Sequence, residues 1–416
     1  MSNSSEKSGV CRFCGATLRH TFADLGMSPP CESNLDLGQL NEVERFYPLC
    51  VFVCSECLLV QLQEYVSPDA IFTEYAYFSS FSTHWLRHVK AYTDMAVERF
   101  HLDKNSLVVE LASNDGYLLQ YFVEKGIPVL GIEPAANVAE TARKKGIPTV
   151  VKFFGRETAR ELVKEGKRAD LIAGNNVLAH VPDLRSFVEG MKILLKPESV
   201  ITLEFPHLMR LIEGNQFDTI YHEHFSYFSF LTVKKVMAAF DLTIFDVEEL
   251  STHGGSLRIY VRHTQDTSHP ETERVRELVE REKKAGFDRL ETYFTFGERI
   301  KETKRRILAF LIDVKRSQKS IVGYGAPGKG NTLLNYCGIR TDFLDYTVDR
   351  NPYKHGKFLP GTHIPIFPTE KIRETRPDYV LILPWNLKDE IREQLQYIRE
   401  WGGKFVVPIP EVDIFQ

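Results

Sequence analysis

The sequence predicts an α/β protein in which two doubly wound units of alternating strand and helix stand behind a small cysteine-rich N-terminal lobe. Three observations predict it. Short apolar runs alternate with helical patterns through the middle and the end of the chain. Two glycine turns, around Gly116 and from Gly323 to Gly330, each join an apolar run to a helical stretch. Two Cys-x-x-Cys pairs lie near the N-terminus. The 416 residues suit about three domains at roughly 150 residues each.

The N-terminal lobe comes first. Residues 1–9 are polar, and no apolar segment follows a basic start, so the sequence predicts no signal peptide and a cytoplasmic protein. Of seven cysteines, four form Cys11-x-x-Cys14 and Cys54-x-x-Cys57, with 39 residues between the pairs. An odd total in a chain without a secretory signal argues against a disulfide framework. Two such pairs supply four thiolates to a tetrahedral ion, and Zn²⁺ is the ordinary occupant. Redox pairs or free thiols are the alternative. Four thiolates leave no open position for substrate, so the zinc is expected to be structural. Cys31, Cys50 and Cys337 are read as bystanders. The lobe is placed at residues 1–75.

A central unit follows, placed at residues 76–265. Its entry, His84 to Phe100, carries Trp85, Val89, Tyr92, Met95 and Ala96 at helical spacing. The predicted strands are Leu107–Leu111, Val129–Ile132, Thr149–Val151, Leu171–Ala173 and Val200–Glu204. Helices lie between them, and Gly126 and Gly146 close two of these. In the first glycine turn, Glu110-Leu-Ala-Ser113-Asn114-Asp115-Gly116, backbone amides and a helix start favour a polar or anionic ligand. Glu133 ends the next strand 17 residues after Gly116, where a carboxylate accepts ribose hydroxyls. Asn175 and Asn176 end a later strand and can line the same crevice. An ordinary turn without ligand is the competing reading.

Tyr221-His222-Glu223-His224 is the stretch that looks most catalytic. Histidines with pKa values near neutrality are general bases, and a carboxylate orients them. Ordered core histidines among aromatics are the bland reading. His253-Gly-Gly-Ser256-Leu-Arg258 is a second polar loop that can reach the same cavity.

The last unit is placed at residues 266–416. Glu271 to about Arg316 reads as long charged helices joining the two α/β units. Gly323-Tyr324-Gly325-Ala-Pro327-Gly328-Lys329-Gly330 then matches G-x-G-x-x-G after a strand, and Asp345 or Asp349 follows at the spacing of a ribose-binding acid. The stiff Pro327 and the cationic Lys329 suit a phosphate, whether of a dinucleotide or of a nucleotide sugar.

Composition excludes other classes. With 43% hydrophobic and 26% charged residues the chain is not disordered. Fifty-two Lys+Arg against 56 Asp+Glu leaves no basic excess, so no nucleic-acid partner is expected. The longest apolar runs are too short to span a bilayer, so no membrane partner is expected either.

Taken together, these motifs resemble the sugar C-methyltransferases of deoxysugar pathways, which act on nucleotide-linked, usually dTDP-linked, 4-keto-6-deoxysugars. The resemblance rests on the two cysteine pairs, Ser113-Asn-Asp-Gly116, Tyr221-x-Glu-His-Phe225, His253-Gly-Gly255 and Gly323-Tyr-Gly-Ala326. Pro360-Gly-Thr-His363-Ile-Pro365 and Trp385-Asn386 complete it. The first glycine turn by itself resembles that of class I S-adenosylmethionine-dependent methyltransferases, and departs from their usual E/D-x-G-x-G-x-G in having Ala112 and Asn114 where glycines are common. The resemblance implies a zinc-binding N-terminal domain and a central class I methyltransferase (Rossmann-like) domain. A C-terminal Rossmann-like domain would then hold the sugar nucleotide. It implies S-adenosylmethionine as donor, held by Glu110, Ser113, Asn114, Asp115, Gly116, Glu133, Asn175 and Asn176. It implies a small-molecule nucleotide sugar held by Tyr324, Gly325, Lys329, Asn331, Asp349, His363, Trp385 and Asn386. His224 is implied as the base acting at sugar C3, with Glu223, Tyr221 and Tyr77 assisting. Nothing in the sequence demands a partner chain, and a monomer suffices. An O- or N-methyltransferase, an NAD(P)-dependent oxidoreductase using the Gly323 turn, and a zinc-ribbon scaffold remain open from the residues alone.

Overall fold

A computed structural model describes residues 9–67 and 78–416. Three sheets organise it. The strands of the N-terminal lobe are β1 (His20–Ser28), β2 (Tyr47–Val53) and β3 (Val60–Leu62). The central unit supplies β4 (Val108–Leu111), β5 (Val129–Ile132), β6 (Thr149–Val150), β7 (Ala169–Asn175) and β8 (Leu195–Pro206). It continues with β9 (Ser226–Tyr227), β10 (Leu242–Leu250) and β11 (Ser256–His263). The last unit supplies β12 (Ile321–Tyr324), β13 (Thr347–Val348), β14 (Ile366–Phe367), β15 (Tyr379–Ile382), β16 (Lys404–Val407) and β17 (Asp413–Phe415).

The central sheet runs β10-β11-β8-β7-β4-β5-β6, with β11 antiparallel to both neighbours. Strand order reverses between β4 and β7, so a crevice opens at their carboxyl ends. Ala112, Glu133 and Asn175 stand there because each ends or directly follows a strand. The predicted strand cores all form; β7 and β8 extend beyond the apolar runs that mark them. The last sheet, β14-β13-β12-β15-β16-β17, repeats the plan with its switch between β12 and β15. Lys329 follows β12 and Trp385 follows β15, so both reach the mouth of that second switch.

The N-terminal sheet is completed from outside the lobe. β9 pairs with β3 through Val60–Tyr227 and Gln61–Ser226, directly after the Tyr221–His224 stretch. The lobe therefore anchors that stretch.

The helix Thr83–Arg99 starts at Ser82, whose side-chain oxygen accepts the Trp85 amide, and buries Trp85, Val89, Tyr92 and Ala96 at helical spacing. The helices Glu273–Lys284 and Phe296–Arg316 occupy the charged segment. Their buried Val275, Leu278, Phe296, Ile300, Ile307 and Leu311 face the cores, and the charges other than the buried Glu282 lie on the outer faces. Phe294, between the two helices, is 46% exposed. Among the described residues, no helix is long and apolar enough to cross a membrane.

Candidate active site

The four cysteine sulfurs of Cys11, Cys14, Cys54 and Cys57 lie within 4.8 Å of one another, with Cys11–Cys57 and Cys14–Cys54 at 3.5 Å. A tetrahedral ion at ~2.3 Å from each sulfur needs sulfurs about 3.8 Å apart, so the cluster fits zinc. Each knuckle turns through a left-handed residue just after its second cysteine: Gly15 at φ 79° and Leu58 at φ 64°. Glycine adopts this freely, whereas leucine is strained there. Gln61 donates to the Cys11 sulfur at 3.1 Å, a support outside the cluster.

A cavity of about 510 Å³ gathers residues from around all three sheets. Its donor-side wall is the crevice at the ends of β4, β5 and β7. There Ala112 and Asn114 hold positive φ of 55° and 47° without being glycine. Glu133 makes this possible, accepting the Asn114 amide and the Ala135 amide at 2.9 Å each. Burial raises the Glu133 pKa, and those two amides oppose the rise. Asn175 Nδ2 is buried with no hydrogen-bond partner among the described residues. An unpaired buried amide and a carboxylate beside a left-handed turn fit a ligand carrying ribose hydroxyls and an amino acid.

Asn114, Glu133, Asn175 and Asn176 line the cavity. Glu110, Ser113, Asp115 and Gly116 stand behind it. Glu110 is fully buried in β4, and burial raises its pKa well above the usual range. Asp115 pairs with Lys145 at 3.2 Å. Gly116, at φ 76°, packs where a Cβ would strike Ile147.

Tyr221, Glu223 and His224 form the opposite wall. His224 Nδ1 lies 2.8 Å from the Thr219 carbonyl. A carbonyl only accepts, so Nδ1 carries the hydrogen and Nε2 keeps its lone pair. The His224 ring packs on Tyr221 with centroids 4.0 Å apart and meets His180 edge-on at 4.7 Å. Burial, reinforced by His180, holds the His224 pKa well below 6.5, so the imidazole is neutral. Burial also pushes His180 and His253 down to about 4. His253 reaches the cavity and its Nε2 lies 3.0 Å from Asn176 Nδ2. Tyr77, the remaining residue of the expected catalytic set, lies outside the described residues.

Of the residues expected to hold the acceptor, Lys329 lines the cavity. Asn386 and Trp385 hold it from behind: Nζ is 2.8 Å from Asn386 Oδ1 and 4.6 Å from the Trp385 ring. The others are set away from that cavity. Tyr324 donates to Gln394, Asn331 is buried beside Asn335, and His363 lies 3.1 Å from Glu44. The glycines of the second turn serve packing, since a Cβ on Gly323 or Gly325 would meet Thr347 or Pro384. Asp349 accepts the Ala326 amide at 2.7 Å, as Glu133 accepts that of Asn114. Asp345 instead stands 3.6 Å from Lys315.

Sequence reasoning missed Cys31, Glu32, Trp85 and His180, all of which line the cavity. Cys31, read as a bystander, is 4% exposed and points its thiol at Glu223. No local pattern marks these four; a loop, a lone histidine and a helix face bring them in.

Comparison with known proteins agrees in order along the chain. Residues 11–72 match a zinc binding domain, residues 85–247 a methyltransferase domain, and residues 251–410 the C-methyltransferase C-terminal domain. The C-methyltransferase NovU of Streptomyces niveus is 35% identical over 403 residues, covering 96% of this chain and 95% of that protein. A ubiquinone biosynthesis O-methyltransferase of Chelativorans sp. (strain BNC1) is 29% identical over 91 residues, covering 22% of this chain and 36% of its own. Among solved structures, magnesium protoporphyrin IX methyltransferase (ChlM) of Synechocystis PCC 6803 with bound SAM is 16% identical. It covers 42% of this chain and 79% of its own at a TM-score of 0.33. With a relative of that identity matched end to end, and with its three domain types in order, the chain belongs to the C-methyltransferase family and is an S-adenosylmethionine-dependent, zinc-binding methyltransferase.

Proposed function

We propose that this enzyme methylates C3 of a nucleotide-linked, dTDP-type 4-keto-6-deoxysugar, with His224 as the base. The observation that carries the proposal is the neutral His224, locked through Nδ1 on Thr219, in one cavity with the donor crevice. In this proposal residues 1–75, 76–265 and 266–416 are the zinc, donor and acceptor domains.

Bound against Asn114, Glu133, Asn175 and Asn176, S-adenosylmethionine supplies an electrophilic methyl group. The protein must then make a nucleophilic carbon. A C–H beside a ketone is acidic enough for a neutral imidazole when the enolate oxygen meets fixed donors. His224 Nε2 takes the C3 proton. Tyr221 fixes the imidazole plane by stacking, and Glu223 borders the same pocket. Tyr77 is proposed to face the sugar. Walls from three sheets hold both ligands together and exclude water, which makes the transfer effectively unimolecular. Tyr324, Gly325, Lys329, Asn331, Asp349, His363, Trp385 and Asn386 are proposed to serve the sugar nucleotide, directly or through the turn they stabilise.

The test is product analysis with labelled donor and a dTDP-4-keto-6-deoxyhexose. A new methyl carbon on C3 by NMR is the expected result. A methyl on oxygen or nitrogen would overturn the proposal.

A further inference from the structure

Resting on the keto-sugar reading, we infer that the Lys329 ammonium is the donor that stabilises the enolate oxygen at C4, rather than only a ligand of the nucleotide's phosphates. Among the described residues, Lys329 is the only lysine or arginine lining the cavity that also holds His224 and the donor crevice. A cation intended for phosphate alone has no need to share a wall with the base.

Its surroundings leave it free to act. Lys329 forms no ion pair among those of the described residues. Among the described residues its one hydrogen bond is to the neutral Asn386 amide, and the ammonium itself lies over the Trp385 ring. An ammonium has three donors, so others remain for a ligand. Lys354, the neighbouring buried cation, is already engaged by Glu32 at 2.9 Å and by the Ala326 carbonyl at 2.7 Å.

The lysine is also geared to the base. Trp385 Nε1 donates to Asp218 Oδ2 at 2.7 Å, and Asp218 begins the short segment that carries Tyr221 and His224. Thr332, one turn along the lysine's own helix, donates to the Ile220 carbonyl at 3.1 Å. The two walls are thus fixed to one another. Consistently, after burial and the neighbouring histidines, the Lys329 charge adds to the depression of the His224 pKa.

The electron count is simple. As His224 takes the C3 proton, the C–H pair becomes a C3–C4 double bond and the carbonyl pair moves onto oxygen. The oxygen gains a full negative charge, which Lys329 meets with an N–H and without giving up its proton. When the C3–C4 pair bonds the methyl group, the donor's S–CH3 bond breaks with its pair left on sulfur, the oxygen pair returns to the carbonyl and the ketone reforms. His224 then releases its proton to water. A cation placed where charge develops in a water-poor pocket favours the transition state over the neutral ketone.

The experiment uses Lys329→Met and Lys329→Arg in the full chain. Deuterium uptake at C3 of a dTDP-4-keto-6-deoxyhexose in deuterated water, without donor and at saturating sugar, reads enolisation; dTDP affinity reads phosphate binding. Uptake in Lys329→Met is expected to fall ~100-fold or more, dTDP affinity to stay within about threefold, and Lys329→Arg to recover part of the loss. Thermal stabilisation by S-adenosylhomocysteine verifies the fold, and Lys329→Gln takes the place of a methionine variant that fails it. Wild-type uptake with dTDP weakened tenfold overturns the inference and leaves the keto-sugar reading standing. An absence of uptake in the wild type sinks that reading and this inference with it.

Discussion

The Cys31 thiol meets the Glu223 carboxylate at 3.7 Å, joining the loop after β1 to the wall that carries His224. The N-terminal lobe is therefore part of the candidate active-site cavity as well as a zinc-binding module. Cys31 also packs against the start of the helix Gly328–Cys337, since a Cβ on Gly328 would come within 2.8 Å of its sulfur. Three domains meet at this one side chain.

With β3 paired to β9, this contact predicts that activity depends on the metal. Purified protein is expected to contain one zinc per chain, and Cys11→Ser or chelation is expected to remove it, because the binding free energy of such a site is also folding free energy. Loss of zinc frees β3, its partner β9 and the wall beyond, so methyl transfer should fall with the zinc content. Metal analysis alongside activity checks this; full activity in zinc-free protein would refute it.

His224→Ala is expected to lower methyl transfer by about 10²–10⁴-fold, the usual worth of a general base. Its ring touches Tyr221 and His180, not the crevice at Glu133, so S-adenosylhomocysteine affinity should change little. Titration calorimetry and single-turnover kinetics separate the two effects.

Glu133→Gln replaces one of two acceptors that hold the Asn114 and Ala135 amides. A neutral amide has one oxygen, so one buried N–H loses its partner, at about 1–3 kcal/mol. Donor affinity is expected to fall roughly tenfold or more, with the acceptor nucleotide unaffected. Donor binding equal to wild type would argue against this role.

The cavity histidines set the acid limit. His180 and His253 titrate at about 4 in the fold, and His224 also lies well below its ordinary value, all because burial disfavours the cation. Between about pH 6.5 and 4 the unfolded chain binds protons that the native state refuses. Stability from these groups is therefore fully present above pH 6.5 and is lost as pH falls toward 4. Denaturant midpoints measured across that window should rise with pH and then level off. A midpoint independent of pH would contradict the assignment.

Glu282 supports the site from below. It is fully buried, bonds His207 at 2.6 Å and accepts the Phe230 and Leu231 amides that open the helix after β9. Glu282→Ala strands all three and is expected to cost about 3–5 kcal/mol. Glu282→Gln, which keeps an acceptor, should cost less. Equilibrium unfolding of the two variants gives the comparison.

Local pattern was enough for much of this. The strand Val129–Ile132, the helix Thr83–Arg99 and the four zinc cysteines were legible because each is written in neighbouring residues: an apolar run, a 3.6-residue period, a repeated knuckle. Asn114 and Glu133 were legible as turn and strand-end residues. Their mutual bond, which lets a non-glycine turn keep its left-handed form, was not, since it spans 19 positions. The same holds for β9 joining the zinc lobe, for Cys31 and His180 entering the cavity, and for Trp385 and Asp218 gripping the walls of the site. The sequence by itself determined which elements form and which chemistries the chain carries. Only the tertiary structure decided which of those groups share one cavity, because contacts between residues far apart in the chain depend on how sheets pack and not on any local period.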